Sequence, residues 1–264
     1  MVKILSSIED ILVQSIGEFL GTAMYLFLAI GGADSITRGL GYGGLAILGT
    51  SFAFGISLIV VAWAFFRISG SHFNPAVSLM ACITGNLSVV KFACYFMAQI
   101  LGGMAGVGLA RGVTSRHEKT LQVNYIMNNE SIARAFFLEF FLTMILCLVY
   151  YLCVYEKNRG TFMAAFPYGI TLFSCHLFAT RYTNASINPA RAFAASVAAG
   201  SFSKEHWVFW FGPLTGGIVA AGLAILFRFV DYDQYTAGID AENRAQCMRA
   251  KAAQRNGRTA STTV

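Results

Sequence analysis

Six long apolar segments, separated by short polar stretches, dominate the pattern along this chain. They run approximately over residues 11–30, 44–66, 92–110, 135–155, 163–180 and 208–230. Most reach the roughly 20 residues that a membrane-spanning helix needs, and the fifth is at the lower edge of that range. A single segment of this kind could be a buried helix of a soluble domain, but the short loops leave no soluble domain that could bury all six. The pattern predicts an all-α membrane protein with six spanning helices.

Two further apolar stretches are too short to cross a bilayer, and each contains the tripeptide Asn-Pro-Ala. Proline favours the first position of a helix and asparagine favours the cap before it, so each tripeptide predicts a helix start. A helix that begins at membrane depth leaves unpaired N–H groups, which are tolerated only inside protein or beside a watery cavity. The sequence therefore predicts two half-helices and a site at their N-termini. The residues are Asn74, Pro75, Ala76 and Asn188, Pro189, Ala190.

The chain also repeats itself. The segment 18–22 (EFLGT) is similar to the segment 139–143 (EFFLT), and each precedes a span and then an Asn-Pro-Ala loop. Three spans per copy is an odd number, so the second copy must be inverted relative to the first, with the two half-helix N-termini meeting near the midplane. This predicts an N-terminal segment 1–10, a first repeat 11–111, an outer connecting loop 112–130, a second repeat 131–230 and a tail 231–264.

Composition agrees with a membrane protein and gives weak evidence on orientation. Hydrophobic residues make up 56% of the chain and charged residues 12%, and the mean hydropathy is +0.59. The formal charge of +6 has its most compact source in the tail, so it does not indicate nucleic-acid binding. Lys and Arg are almost evenly divided between the two sides until the tail is counted, which favours both termini in the cytoplasm. We expect a multi-pass protein of the plasma membrane.

Cysteine and histidine give no sign of a cofactor or metal site. The six cysteines have no C-x-x-C pairing and five lie in or beside apolar segments, which indicates buried thiols. The four histidines are widely spaced. Ser, His and acidic residues are too sparse at pore-facing depth for a catalytic constellation, so we expect neither a metal, a cofactor nor an enzyme.

The segments 69–77 (SGSHFNPAV) and 184–191 (NASINPAR) resemble the two pore loops of the aquaporins, also called major intrinsic proteins. The resemblance covers nearly all of residues 10–230. It implies a right-handed bundle of six helices with two half-helices, one pore in each chain, and a homotetramer. It also places His72 beside the pore as a lining and loop-supporting residue.

The chemistry of such a pore follows from helix termini and amides. Two half-helix N-termini supply positive partial charge, and the side chains of Asn74 and Asn188 offer N–H donors to a passing oxygen. A water molecule held in this way has its protons pointing outward and cannot accept another, while the same field repels hydronium. Arg191 adds a full charge in a narrow, poorly screened site.

The resemblance assigns the selectivity constriction to Phe54, His176, Ala185 and Arg191, a set similar to that of water-selective aquaporins. Glycerol-conducting relatives usually have a small residue in place of such a histidine and an aspartate directly after the arginine, whereas this chain has Ala192 there. A passive water channel that excludes protons and ions is therefore predicted. Three alternatives stay open: a channel for small uncharged solutes such as glycerol, ammonia or hydrogen peroxide, a junction or adhesion protein with little conductance, and a coupled secondary transporter. A transporter would need an ion site, and Glu18 and Glu139 are the only acidic residues in the spans.

Two acidic residues lie within apolar spans, Glu18 and Glu139. A buried ionisable group is costly and should face the bundle interior with a partner. We expect both to accept hydrogen bonds from backbone N–H groups of the pore loops; a proton relay is the alternative. Asn184 stands where many aquaporins have glycine, and asparagine is the next most tolerable residue if that backbone is left-handed.

The end of the chain, Thr262-Thr263-Val264, has a hydroxyl residue two positions before a terminal valine. PDZ domains capture such peptides by strand addition and by binding the carboxylate. A PDZ-domain partner is a possible interpretation, and an unstructured end is the alternative.

Overall fold

The structure, a computed structural model, describes residues 2–41, 43–114, 122–127, 130–156, 160–230 and 232, with side chains described from residue 8 onward. Regular structure in this part of the chain consists of helices. In chain order they are α1 (Val2–Leu40), α2 (Gly44–Ser69), α3 (Pro75–Ile83), α4 (Val89–Val113), α5 (Ile132–Val154), a 3-10 turn (Thr161–Met163), α6 (Ala165–Thr183), α7 (Pro189–Ala199) and α8 (Val208–Phe229).

The six long helices correspond to the six predicted spans, and α3 and α7 are the two short helices predicted at the Asn-Pro-Ala motifs. Five of the six, with α6 as the exception, are long and apolar enough to cross a membrane by length and composition. The first helix differs most from expectation, because it begins at Val2 and includes residues 2–10 of the predicted N-terminal segment 1–10. Apolarity marks the part of a helix that lies in lipid, while its polar flank can stay helical.

The helix contacts follow an approximate two-fold relation between the repeats. Helix α1 packs on α2 and α4, and the corresponding helix α5 packs on α6 and α8. Each short helix packs across the boundary, α3 on α8 and α7 on α4, and the two short helices touch each other. This arrangement is the predicted inverted repeat, and it brings both short helices into the interior.

Small residues allow the long helices of each repeat to approach closely. A Cβ at Gly106 of α4 would collide with the backbone carbonyl of Ala23 in α1. In the second repeat, a Cβ at Gly216 of α8 would collide with the carbonyl of Phe140 in α5. These are the small-residue contacts that stabilise helix pairs in membranes. They fix the distance between α1, which carries Glu18, and α4. They also fix the distance between α5, which carries Glu139, and α8.

Several polar side chains lie inside this bundle beside an apolar core, and many large apolar side chains lie outside. Phe52 and Trp63 of α2 are exposed on the outer surface, whereas Glu18, His72 and Gln99 are buried. A soluble protein has the opposite arrangement. The bundle therefore presents a lipid-facing exterior around a polar interior.

Candidate functional site: the paired half-helices

Helices α3 and α7 begin in the same way. Each has proline at its first position and an asparagine cap in extended conformation, as the sequence predicts. The Asn74 side-chain oxygen accepts from the N–H of Ala76 at 2.9 Å, and the Asn188 oxygen accepts from Ala190 at 2.9 Å and from Arg191 at 3.3 Å. The caps fix each amide at a helix N-terminus, where the partial positive charge lies.

The two caps also tie the pore loops to each other. The Nδ2 group of Asn74 donates to the carbonyl of Ile187 at 2.9 Å, and that of Asn188 donates to the carbonyl of Phe73 at 2.8 Å. A primary amide has two N–H donors, so each asparagine keeps one donor beyond this cross-bond. Both side chains are buried, with exposures of 3% and 4%. The half-helix N-termini thus meet as a single unit with two remaining amide donors.

The loops before the caps share an unusual backbone. Counted back from each cap, the first, third and fourth residues have positive φ in both loops. A left-handed conformation costs a non-glycine residue roughly 1–2 kcal/mol, so surrounding contacts must hold it. Asn184, at the fourth position, has φ of 55° and ψ of 28°, which is the left-handed backbone considered from the sequence. The paired residues are Phe73 and Ile187, Ser71 and Ala185, and Gly70 and Asn184.

Glu18 supplies such contacts to the first loop. Its carboxyl oxygens accept from the N–H of His72 at 3.0 Å and of Phe73 at 2.7 Å. They also accept from the hydroxyl of Ser69 at 2.7 Å and the amide of Gln99 at 2.8 Å. The buried carboxyl is thereby surrounded by donors, which is the loop-supporting arrangement expected from the sequence.

Glu139 does the same for the second loop. Its carboxyl oxygens accept from the N–H of Ser186 at 2.9 Å and of Ile187 at 2.6 Å. These two residues occupy the same loop positions as His72 and Phe73. Each repeat therefore supports its pore loop with the same two hydrogen bonds from backbone N–H groups to a buried glutamate.

The residues predicted at the constriction lie together and are buried. The Phe54 ring from α2 stacks on the His176 ring from α6, with centroids 4.2 Å apart and an interplanar angle of 24°. The guanidinium carbon of Arg191 lies 5.2 Å from the centroid of Phe54. Ala185 is fully buried in the adjoining loop. Three helices and one loop thus converge on a small polar and aromatic cluster.

Two polar atoms of this cluster have no protein partner among the described residues, His176 Nε2 and Arg191 Nε. The other ring nitrogen of His176, Nδ1, lies 3.0 Å from the carbonyl of Leu172. A carbonyl can only accept, so Nδ1 carries the proton and Nε2 of the neutral ring is an acceptor. The cluster thus has one orphan acceptor and one orphan donor, and water can satisfy either role.

The rest of the Arg191 guanidinium is fixed by protein. Its Nη2 group donates to the carbonyl of Asn184 at 3.0 Å, and its Nη1 group donates to the side-chain oxygen of Asn124. Asn124 belongs to the segment that connects the two repeats and was not identified from the sequence. A lone polar residue in a loop has no periodicity or motif that could have indicated this contact.

His72 lies in the first loop, where its ring supports the surrounding structure. Nδ1 lies 2.9 Å from the hydroxyl of Ser78, and Nε2 lies 2.8 Å from the hydroxyl of Tyr155 at the end of α5. The hydroxyl of Tyr168 donates to the His72 carbonyl at 2.7 Å. Unlike His176, this histidine has both ring nitrogens engaged by protein. Its pore-lining role stays a prediction.

Metal binding finds no support in the part of the chain that the structure describes. No group of three or more His, Cys, Asp or Glu side chains in those residues is arranged to hold an ion. The polar groups clustered beside Phe54 are the guanidinium of Arg191 and the imidazole of His176.

The sequence matches the family model described as Major intrinsic protein over residues 5–224. Among curated relatives, Aquaporin-5 of Botryotinia fuckeliana is 36% identical over 249 residues, which is 90% of this chain and 46% of the relative. Aquaporin-1 of Laccaria bicolor is 36% identical, covering 85% of this chain and 73% of that protein. Aquaporin-2 of Saccharomyces cerevisiae is 36% identical, with 88% and 81% covered. The chain thus spans about half the length of some relatives it matches.

Among solved structures, the chain is similar to the X-ray structure of the aquaglyceroporin from Plasmodium falciparum. The TM-score is 0.71 at 26% sequence identity, over 84% of this chain and 99% of that chain. The shared arrangement covers both repeats described above.

Proposed function

The chain belongs to the major intrinsic protein family, and from that premise we propose that it is a passive water channel that excludes protons and ions. The observation that carries the proposal is the constriction. Phe54 stacks on His176, Arg191 lies over the Phe54 ring, and the only two orphan polar atoms of the described part of this cluster are one donor and one acceptor. A cluster with one free donor and one free acceptor favours a solute of the size and bonding capacity of water.

Proton exclusion is supported by the paired half-helices. Their N-termini carry partial positive charge, and Asn74 and Asn188 each retain one amide N–H. A water oxygen that accepts from both amides has its own protons directed outward along the path. A relay of protons through that water is interrupted, and hydronium is repelled by the same field.

A channel that also passes small uncharged solutes is the second candidate. It is favoured by the likeness to a solved structure titled an aquaglyceroporin. The residue after Arg191 argues the other way, since Ala192 offers no carboxylate for a polyol hydroxyl. The presence of His176 at the constriction argues the same way, because its ring occupies space that a carbon backbone needs.

The remaining expectations belong to this proposal. We expect a homotetramer in the plasma membrane with both termini in the cytoplasm, no catalytic activity and no adhesive role. The PDZ-binding interpretation concerns Thr262-Thr263-Val264, which lies outside the described residues.

The test measures water and glycerol permeability of purified protein in one batch of proteoliposomes. The expected result is fast osmotic shrinkage and glycerol uptake near that of empty vesicles. A matched pair of variants shows whether the flux passes the constriction: Phe54→Ala alters the inner ring, whereas Phe52→Ala alters a lipid-facing ring on the same helix. Glycerol uptake comparable with water flux in the wild-type chain would contradict water selectivity.

A further inference from the structure

A short stretch of the segment that connects the two repeats, residues 122–127, lies against the second pore loop. The N–H of Met127 donates to the carbonyl of Tyr182 at 2.8 Å. The Nδ2 group of Asn124 donates to the carbonyls of Thr183 at 2.9 Å and Asn184 at 3.1 Å. In return, the Nδ2 group of Asn184 donates to the carbonyl of Val123 at 3.2 Å. The two asparagines therefore fasten the segment and the loop to each other.

Asn124 uses its whole side-chain amide in this arrangement. It is fully buried, its two N–H groups go to the pore loop, and its oxygen accepts from Arg191 Nη1. The carbonyl of Asn184 accepts both from Asn124 and from Arg191 Nη2. The guanidinium is thus bound on two nitrogens by the same pair of asparagines, and only its Nε is left over.

The hydrogen-bond acceptors of this buried charge are neutral oxygens, and no carboxylate in the described part of the chain forms an ion pair with Arg191. A buried charge without an ion-pair partner depends on hydrogen bonds for its position. A long side chain that loses one of two such bonds has other rotamers open to it, and we expect the guanidinium of Arg191 to move within the cluster of Phe54 and His176.

We propose that Asn124 and Asn184 form a clasp that positions Arg191 and so sets the permeability of the constriction. Both are positioning residues: they act through Arg191 and contact its guanidinium on the side away from Nε. The inference rests on the proposed function, since it takes the cluster of Phe54, His176 and Arg191 as the narrowest part of the path. Asn184, which stands where aquaporins often have glycine, contributes a side-chain bond that glycine cannot make.

A double-mutant cycle separates positioning from mere loop stability. Asn124→Ala and Asn184→Gly are made in the wild-type chain and in the Arg191→Val chain, and water permeability is measured in proteoliposomes for all six. Asn184→Gly keeps the backbone carbonyl and tolerates the positive φ. The control is Val123→Ala, which keeps the carbonyl that Asn184 binds. Monodispersity and thermal unfolding in detergent confirm that each variant folds.

The expected result is a severalfold loss of water permeability with a raised activation energy in Asn124→Ala, and a smaller loss in Asn184→Gly. Neither substitution changes permeability in the Arg191→Val chain, and Val123→Ala behaves as its parent. Equal losses in both backgrounds would show that the asparagines support the loop alone, and unchanged permeability of folded Asn124→Ala would also overturn the proposal.

Failure of the proposed function gives a different signature. If the wild-type chain conducts glycerol instead of water, the water-channel proposal fails, and the same cycle is read with glycerol flux. Coupling to Arg191 in that readout still supports the clasp, and its absence overturns it. A chain that conducts neither solute overturns both proposals.

Discussion

The two pore loops share their backbone and differ in the side chains around it. Each has an asparagine cap, a glutamate that accepts from two loop N–H groups, and three residues with positive φ at matching positions. After the cap, however, the first half-helix has Val77 where the second has Arg191. The duplicated part builds the meeting point of the helices, and the proposed function places the discrimination between solutes in the unduplicated part.

The two histidines show the same contrast. His72 of the first loop has hydroxyl groups on both ring nitrogens, whereas His176 beside the second loop leaves Nε2 without a protein partner among the described residues. A satisfied ring stabilises structure, and an orphan nitrogen in a polar cluster is available to a solute. We therefore expect the first histidine to support structure and the second to contribute to the proposed selectivity.

The largest expected effect is on stability, from the duplicated glutamates. Glu18→Gln and Glu139→Gln each leave a loop N–H facing an amide NH₂, and an unsatisfied buried donor costs about 1–3 kcal/mol. Glu18 has two side-chain partners, Ser69 and Gln99, where Glu139 has Thr183, so we expect the Glu18 variant to lose more stability. Thermal unfolding in detergent shows which of the two variants loses more stability.

Absent losses in the two glutamine variants would show that the carboxyls do not hold the loops, and equal losses would contradict the expected order. Thr215→Val is a suitable control, because that exposed hydroxyl bonds only to carbonyls of its own helix.

The next effect is on selectivity. His176→Ala combined with Arg191→Val removes the orphan acceptor and donor and widens the cluster around Phe54. We expect glycerol uptake to rise well above that of the wild-type chain while water permeability is kept. Glycerol uptake in proteoliposomes provides the measurement, and an unchanged solute profile would mean that the constriction lies elsewhere.

A smaller effect is expected where the first loop meets α5. Tyr155→Phe removes the hydroxyl from His72 Nε2 and leaves this ring with an open nitrogen, as His176 has. If water reaches His72, as its predicted pore-lining role requires, a water molecule takes the place of the hydroxyl. The free energy of unfolding of the variant then falls by less than about 1 kcal/mol. A buried polar group left without any partner, water included, would cost about 1–3 kcal/mol.

Thermal unfolding of Tyr155→Phe beside Tyr151→Phe checks this, since Tyr151 bonds Glu156 instead of the loop. A large loss of stability confined to Tyr155→Phe would place His72 outside the water path.

The smallest effect concerns thiol reagents. Cys175 is buried with its sulfur 3.7 Å from the carbonyl of Leu142, so it faces α5 although its neighbour His176 faces the cluster. We expect mercurials to inhibit the wild-type chain weakly and the Ala185→Cys variant strongly, measured as water permeability before and after treatment. Strong inhibition of the wild-type chain that disappears in Cys175→Ser would contradict this.

Much of this architecture could be predicted from the sequence, because some structural requirements can be met only by particular residue types in particular contexts. An Asn-Pro pair within a short apolar stretch favours a helix start, so the half-helices could be predicted. A glutamate within a span needs buried hydrogen-bond donors, so its support of the pore loops could be predicted as well. Left-handed φ at Asn184 could be anticipated for the same reason.

Other features of the structure could not be predicted from the sequence. Asn124 and Tyr155 are single polar residues at loop or helix ends, where polar residues are common, and only the folded chain brings them to Arg191 and His72. The start of α1 was also missed, since the polar residues before the first span do not stop a helix.

The most direct test of the division between the halves compares the two histidines. Water and glycerol permeability are measured in proteoliposomes of His72→Ala and His176→Ala, each beside the wild-type chain. The account predicts that the ratio of water to glycerol permeability falls in His176→Ala and is kept in His72→Ala, which instead loses stability through its hydroxyl partners. A ratio that falls in His72→Ala and is kept in His176→Ala would contradict the account.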